Sequence, residues 1–221
     1  MQNNFIFNQE IVNFIENNLK YVEGWCCSEK AYKLYEIIVN NNLNVCLEIG
    51  VFGGSSFLPQ ALAMKHKGSG LVFGIDPWDS TCSVEDMEKE ANREWWSKLN
   101  HKTIYEGFLK HLENYGVKEH SVILVNKSED VVEEFGNETI DLLHIDGNHC
   151  ERLAYQDSIL YLPKVKVGGF IFFDDTTWVE SGQTPSTGKG LAHLLKYCEP
   201  EITIGKDCMI LKKVKGCNPM N

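Results

Sequence analysis

Basic residues are in short supply in this sequence. Lysine and arginine number 21 against 31 aspartates and glutamates, a formal net charge of −10. A nucleic-acid duplex is a dense line of negative charge and is bound through a basic face, so nucleic acid is not an expected partner. The short basic clusters, Lys164 and Lys166, then Lys212, Lys213 and Lys215, lie beside apolar runs and read as solvated lysines. Long apolar runs are missing as well. No stretch approaches the ~20 residues needed to cross a bilayer, so no membrane partner is expected. Of the eight cysteines, none forms a C-x-x-C pair with zinc-ligand spacing, and no secretory leader precedes them. Cys46 sits in an apolar run, where a thiol behaves as a small buried hydrophobe. Reduced thiols and a cytoplasmic location are therefore expected. There is no internal repeat and no low-complexity linker.

With 221 residues, 43% hydrophobic and 24% charged, the chain fits a single domain with one ordinary core. Residues 1–42 predict a helical cap: Ile11, Phe14, Ile15 and Leu19 recur at helical spacing, as do Tyr32, Leu34, Tyr35, Ile37 and Ile38. Apolar strand candidates follow at Val45–Ile49, Leu71–Ile75, Val122–Val125, Ile140–Ile145, Phe170–Phe173, Ile202–Ile204 and Met209–Lys212. Helical segments separate them at about 57–65, 129–135, 152–162 and 190–198. Residues 77–116 form a helical insert, with helices expected at 84–99 and 103–115. Ser83 and Asp86 suggest a capping box for the first of these. Almost continuously apolar strands alternating with helices imply a parallel sheet covered on both faces. The last two strands lie too close for a crossover helix, so one should run antiparallel. The fold class is thus α/β, a Rossmann-like, doubly wound, mostly parallel sheet over about residues 43–215. Ligands of such sheets sit at the carboxyl ends of the strands.

The first strand ends Glu48-Ile49-Gly50-Val51-Phe52-Gly53-Gly54-Ser55-Ser56. Glycines let backbone approach a ligand, and the start of the next helix offers unpaired N–H groups. The spacing is not the G-x-G-x-x-G of a pyrophosphate cradle, which argues against a dinucleotide-dependent oxidoreductase. An acid two positions before the first glycine suits a cationic amine instead. One strand later, Asp76 stands where it can accept hydrogen bonds from a ribose diol. After the third strand, Ser128 and Glu129 open a helix where they can meet an adenine, although Ser128 as a plain helix cap explains the same residue.

The fourth and fifth strands end in Ile145-Asp146-Gly147-Asn148-His149 and Phe173-Asp174-Asp175. Clustered carboxylates repel one another, and a hard divalent cation resolves the repulsion; pairing with nearby lysines is the alternative. Asp146, Asp174 and Asp175 are therefore candidate ligands of Mg²⁺, or of Mn²⁺ or Ca²⁺. His149 is the candidate general base, because imidazole takes protons near neutrality. His144 shares a strand face with Asp146 and reads as a buried, hydrogen-bonded histidine.

The runs Leu47–Ser56, Gly74–Asp76 and Asn126–Glu129 resemble the cofactor half of class I S-adenosylmethionine-dependent methyltransferases. The resemblance implies that Glu48 and Gly50 line the methionine end, with Gly53, Gly54 and Ser55 in the same loop. Asp76 would hold the ribose hydroxyls, and Ser128, Glu129 and Trp78 would lie by the adenine. The Ile145–His149 and Phe173–Asp175 runs resemble metal-dependent O-methyltransferases, most closely the macrocin O-methyltransferase and cephalosporin-hydroxylase-like group. Catechol O-methyltransferases, which are more distant, place a lysine where His149 stands. This second resemblance implies Asp146, Asp174 and Asp175 as metal ligands, with Asp146 also near the cofactor, and His149 as the base. The implied substrate is a small-molecule acceptor with hydroxyl groups, a sugar or another polyhydroxylated compound. A metal-independent methyltransferase, or a non-catalytic protein that keeps the cofactor, is the alternative.

A glycine-lysine pair near Gly188 mimics a phosphate loop, but its spacing is one residue too long and Gly190 stands where Ser or Thr is needed. Residues 176–190 instead predict a mobile lid carrying Trp178. Trp25, Trp78, Trp95 and Trp96 offer apolar area for a substrate wall, for a subunit contact in a homo-oligomer, or simply for the core.

Overall fold

The computed structural model describes residues 5–217. The chain opens with α1 (Gln9–Asn13), which continues through a π-helical turn (Phe14–Asn18) and a 3₁₀ turn (Leu19–Tyr21), and then forms α2 (Ser28–Asn40). The order thereafter is β1 (Val45–Ile49), α3 (Phe57–Lys67), β2 (Leu71–Ile75), α4 (Ser80–Ser83), α5 (Glu90–Ser97), α6 (His101–Asn114), β3 (Ser121–Leu124), α7 (Ser128–Val131), β4 (Ile140–Ile145), α8 (Glu151–Tyr161), β5 (Val165–Phe173), α9 (Gly188–Leu194), β6 (Cys198–Ile204) and β7 (Cys208–Lys213). The seven strands form one sheet in the order β3-β2-β1-β4-β5-β7-β6. All pairings from β3 to β5 are parallel, and β7 is antiparallel to both of its neighbours. The expected architecture is therefore the observed one. Among the described residues no helix is long and apolar enough to cross a membrane.

Side-chain alternation along the strands divides the core into two layers. Cys46, Leu142, Phe170 and Phe172 face α2, α3 and α6 and join Phe14, Leu34, Phe57 and Phe108. Leu47, Leu143, Ile145, Ile171 and Phe173 face the other way and pack with Phe135, Tyr161 and Leu194. The first layer also carries a polar row. Glu48 pairs in register with His144, and His144 with Phe172, so Asp146 and Asp174, two residues further on, follow the same face. The thiols of Cys46, Cys150, Cys198 and Cys208 are buried, and all eight cysteines are free.

The structure departs from the sequence reading in three places. The expected helix over 84–99 is broken: α4 ends at Ser83, Asp86 takes a left-handed conformation (φ 57°), and α5 begins only at Glu90. The Ser83–Asp86 capping box is not formed. Asp79 caps α4 by accepting from the Thr81 and Cys82 amides, while the Asp86 carboxylate is taken by Arg152 at 2.5 Å. Two of the lysines read as solvated are buried. Lys213, 1% exposed, donates to the carbonyls of Leu162 (3.1 Å) and Val165 (2.6 Å), and Lys164 lies 3.7 Å from Glu133. An apolar neighbourhood buries a lysine when carbonyls or a carboxylate wait at its tip.

Two glycines with positive φ separate backbone conformation from space. Gly68 (φ 71°) closes α3, and a Cβ there would meet nothing within 4 Å. Gly50 (φ 87°) follows β1, and its Cβ would stand 2.0 Å from the Asp146 carbonyl oxygen. Gly68→Ala should cost about 1 kcal/mol, the left-handed penalty alone. Gly50→Ala must push apart two strand ends and should cost at least about 3 kcal/mol. Urea unfolding of both variants checks the contrast.

Candidate active site

The site begins as a run of backbone hydrogen bonds. The first residue beyond each parallel strand donates its N–H to the last carbonyl of the neighbouring strand. Asp76 donates to Leu124 (3.2 Å), Gly50 to Ile75 (2.9 Å), Asp146 to Ile49 (2.9 Å) and Asp174 to Ile145 (3.0 Å). Asp76, Gly50, Asp146 and Asp174 are thereby set level along the carboxyl edge. A cleft opens above them, centred where the strand order reverses between β1 and β4. Its lining brings together Gly50, Ser55, Asp76, Ser128, Glu129, Asp146 and His149 from the sequence-predicted set.

Asp76 has one oxygen on the Phe52 amide (2.9 Å) and the other on the Trp78 amide (2.7 Å). Burial lifts its carboxyl above the usual range against these two bonds. Each carboxylate oxygen has a second lone pair, so the acid can still accept from a diol. Ser128 donates to Asp157 at 2.5 Å, so its hydroxyl joins α7 to α8 and is not the α7 cap: Lys127 holds that position.

Four predicted cofactor residues do not line the cleft. Glu48 is fully buried beneath it, accepting from Ser56 (2.8 Å) and Gln60. Gly53 and Gly54 are pressed against Glu23 and Phe108, where a Cβ would lie 2.4 Å from each, so they serve packing. Trp78 turns into the core, with its indole N–H on the Phe52 carbonyl (2.8 Å) and its ring stacked 5.8 Å from Phe108. Gly53 and Gly54 are interior because the loop after β1 is folded under α6 and the N-terminal segment; Glu48 lies within β1 on a buried sheet face, and Trp78, just beyond β2, joins the first core layer.

Below the cleft lies a chain of buried charge. His144 Nδ1 stands 3.2 Å from Glu48 Oε2, and His144 Nε2 stands 2.5 Å from Asp174 Oδ2. The same Asp174 oxygen accepts from Lys30 of α2 at 2.7 Å, and the Lys30 ammonium lies 3.7 Å from Asp146 Oδ2. Burial alone would lower the His144 imidazole, but Glu48 and Asp174 outweigh it and push it up to about 10. Burial would raise Asp174, but the His144 and Lys30 bonds hold it below the usual carboxylate range. Asp146 is pushed up by burial and by the charge of Asp174.

Asp146, His149 and Asp175 form an outer group whose ligand-type atoms lie within 4.8 Å of one another. His149 Nδ1 is 3.1 Å from Asp175 Oδ2, and the His149 ring packs 5.0 Å from Trp178. The three carboxylates expected to share a divalent ion are thus divided. Asp175 turns to His149, and Asp174 has an ammonium and an imidazole on one oxygen. Asp174 pairs with Lys30, while the ligand-type atoms of His144, Asp146 and Asp174 form an inner group that, like the outer one, lies within 4.8 Å. Residues 176–190, expected as a mobile lid, are fastened to the insert through buried Glu180. That carboxylate accepts from Trp178 Nε1 (2.8 Å), Asn92 (3.1 Å) and the Lys89 amide (3.2 Å).

Sequence reasoning missed Lys30, Asp157 and the part of Phe52 in the aromatic wall that Trp25 and Trp96 were expected to offer. Lys30 is one lysine on an amphipathic helix, and no local pattern marks its partner 144 residues away. Asp157 is buried in the middle of α8 and its carboxyl is pushed up to about 7 by burial; a lone acid on a helix gives no signal. Trp25, Phe52 and Trp96 line the mouth of the cleft, with Trp25 stacked on Phe52 at 5.3 Å and 5.8 Å from Trp96. Trp96 is thus in the wall, whereas Trp95, 48% exposed, packs against Trp25 and Trp96 outside the lining.

A doubly wound sheet with acids level along its carboxyl edge defines a Rossmann-like protein that takes its ligand at the topological switch point. Residues 47–176 match the methyltransferase domain family, and the chain belongs to that family: it is a class I methyltransferase. It is 27% identical over 175 residues to uncharacterized protein R132 of Acanthamoeba polyphaga mimivirus, covering 79% of this chain and 68% of that one. It is also 27% identical over 146 residues to a flavonoid 3',5'-methyltransferase of Vitis vinifera, covering 63% of this chain and only half of the plant protein. The O-methyltransferase TomG of Streptomyces achromogenes, solved with S-adenosylmethionine and involved in tomaymycin synthesis, superposes with a TM-score of 0.63 at 14% identity, over 96% of this chain and 92% of its own.

Asp157 gives a pH test. Its folded value near 7 lies above the ordinary 3.8, so between these values the folded state holds a proton that the unfolded chain has lost. Stability from this residue is therefore intact in acid and falls as pH rises towards 7. Asp157→Asn removes that slope. Urea unfolding should show the variant gaining on the parent between about pH 4 and pH 7, by at most about 4 kcal/mol, with no further gain above pH 7.

Proposed function

We propose that the protein transfers a methyl group from S-adenosylmethionine to a hydroxyl oxygen of a small molecule, with His149 as general base. The observation that carries this reading is the His149–Asp175 pair at the rim of the cleft, 3.1 Å apart and level with the cofactor edge. A carboxylate on Nδ1 fixes the tautomer and leaves Nε2 to take a proton. When bound, the cofactor supplies an electrophilic methyl on a sulfonium. Gly50, held against the Asp146 backbone, keeps the cofactor edge in place, and the free lone pairs of Asp76 suit the ribose. As His149 removes the hydroxyl proton, the acceptor oxygen forms its bond to the methyl carbon and the carbon–sulfur pair returns to sulfur. The remaining contribution of the protein is alignment. No step of this scheme runs through a divalent ion.

The cleft mouth supports a class of acceptor. The resemblance implies a sugar or another polyhydroxylated compound. What the chain offers is an aromatic rim of Trp25, Phe52 and Trp96. Such a rim stacks on a flat ring, either the apolar face of a sugar or a phenol. Eight free thiols support a reducing, cytoplasmic setting.

Purified protein incubated with labelled methyl donor and a panel of glycosides and phenols tests the reading; no transfer to any oxygen acceptor would sink it. His149→Ala should lower kcat by at least about a hundredfold while calorimetry shows cofactor binding retained. Trp96→Ala should raise KM for the acceptor about tenfold with a smaller change in kcat.

A further inference from the structure

We propose that Lys30 is the resident cation of this site: its ammonium stands between Asp174 and Asp146, in the place a divalent ion would take, and the enzyme works without a bound metal. This rests on the methyltransferase reading above and concerns how its acid cluster is neutralised.

The geometry leaves little room for another reading of Lys30. The residue sits in the first turn of α2, 6% exposed, and reaches the strand ends from the first core layer. Its Nζ is 2.7 Å from Asp174 Oδ2 and 3.7 Å from Asp146 Oδ2. A magnesium ion joined to the same two oxygens at ~2.0–2.1 Å would overlap the ammonium and face its charge. Asp174 Oδ2 also lies 2.5 Å from His144 Nε2, so this oxygen already has two partners. The outer carboxylate, Asp175, is committed to orienting His149, and an ion on the outer group would draw on the same imidazole that the reaction needs.

The origin of the lysine points the same way. The family match spans residues 47–176 and includes all three carboxylates, whereas Lys30 lies N-terminal to it. A tethered ammonium has an advantage over a free ion: it is present at a fixed position at every turnover and cannot be chelated. Its single charge does less to acidify a bound hydroxyl than a dication does, which places the burden of proton removal on His149 and its Asp175 partner.

The test uses the full-length protein and Mn²⁺ as probe, with free ion followed by electron paramagnetic resonance and methyl transfer followed separately in excess chelator. The unaltered protein should bind Mn²⁺ weakly, and Asp174→Asn should not weaken that binding further. Lys30→Met keeps the side chain's length and removes its charge, and should tighten Mn²⁺ binding at least tenfold, about 1.4 kcal/mol. Should Lys30→Met fail to fold, the Asp174→Asn measurement carries the decision. Micromolar Mn²⁺ binding by the unaltered protein that Asp174→Asn or Asp175→Asn abolishes, or loss of transfer in chelator, would overturn the proposal. Absence of transfer under all conditions, with Mn²⁺ binding as expected, would instead count against the methyltransferase reading and leave the assignment of Lys30 standing.

Discussion

The cleft in this molecule depends on five parallel strands ending at one level. In a parallel sheet the register between neighbours determines which residue first leaves the sheet. Here the pairs Ile75 with Leu124, Ile49 with Ile75, Ile49 with Ile145, and Ile145 with Phe173 are in register. The hydrogen bonds that follow carry this alignment one residue further, and the residues they hold are Asp76, Gly50, Asp146 and Asp174. A slip of one residue between β1 and β4 would turn Asp146 to the opposite face. Gly50 guards that alignment, since it lies against the Asp146 backbone with no space for a Cβ.

The charge buried beneath this edge is the second constraint. Glu48, His144, Asp174 and Lys30 form a continuous chain from the interior of β1 to α2. Each link is made at the cost of removing ions from water, a cost that opposite charges at hydrogen-bond distance offset. Removing one member leaves its neighbour charged and unpartnered, which is where such chains are most sensitive. The chain ties the N-terminal helices to the catalytic edge: α2 covers one face of the sheet and also fills the acid cluster. The N-terminal region thus reaches the acids at the strand ends, although it lies outside the methyltransferase match.

The cleft walls come from segments that vary in kind from the sheet. Trp25 precedes α2, Phe52 belongs to the loop after β1, and Trp96 lies on α5 of the insert. None of them belongs to the alternating β–α pattern. They meet because the insert folds back over the carboxyl edge, held by Asn148, which donates to the Glu85 carbonyl (2.9 Å), and by Arg152 on Glu85 and Asp86. The sheet edge forms the floor of the cleft and the loops and the insert form its walls, a division common to proteins of this architecture.

The strands, their order of succession and the row Asp76, Asp146, Asp174 were legible in the sequence because they follow from local rules. Period-two burial, apolar runs and polar residues at strand ends are properties of neighbours along the chain. His149 was legible for the same reason, as it stands in the turn beyond a strand. Tertiary structure decided which polar residues face ligand and which face one another. Glu48 and Trp78 sit at strand ends and yet point inward, and Asp174 and Asp175 are adjacent and yet serve different partners. Lys30 reaches Asp174 across 144 residues of chain. A charge carries no mark of its counter-ion, and the pairing is set by which helix covers which face of the sheet. Sequence patterns determine where side chains leave the backbone; only the packed layers determine what they meet.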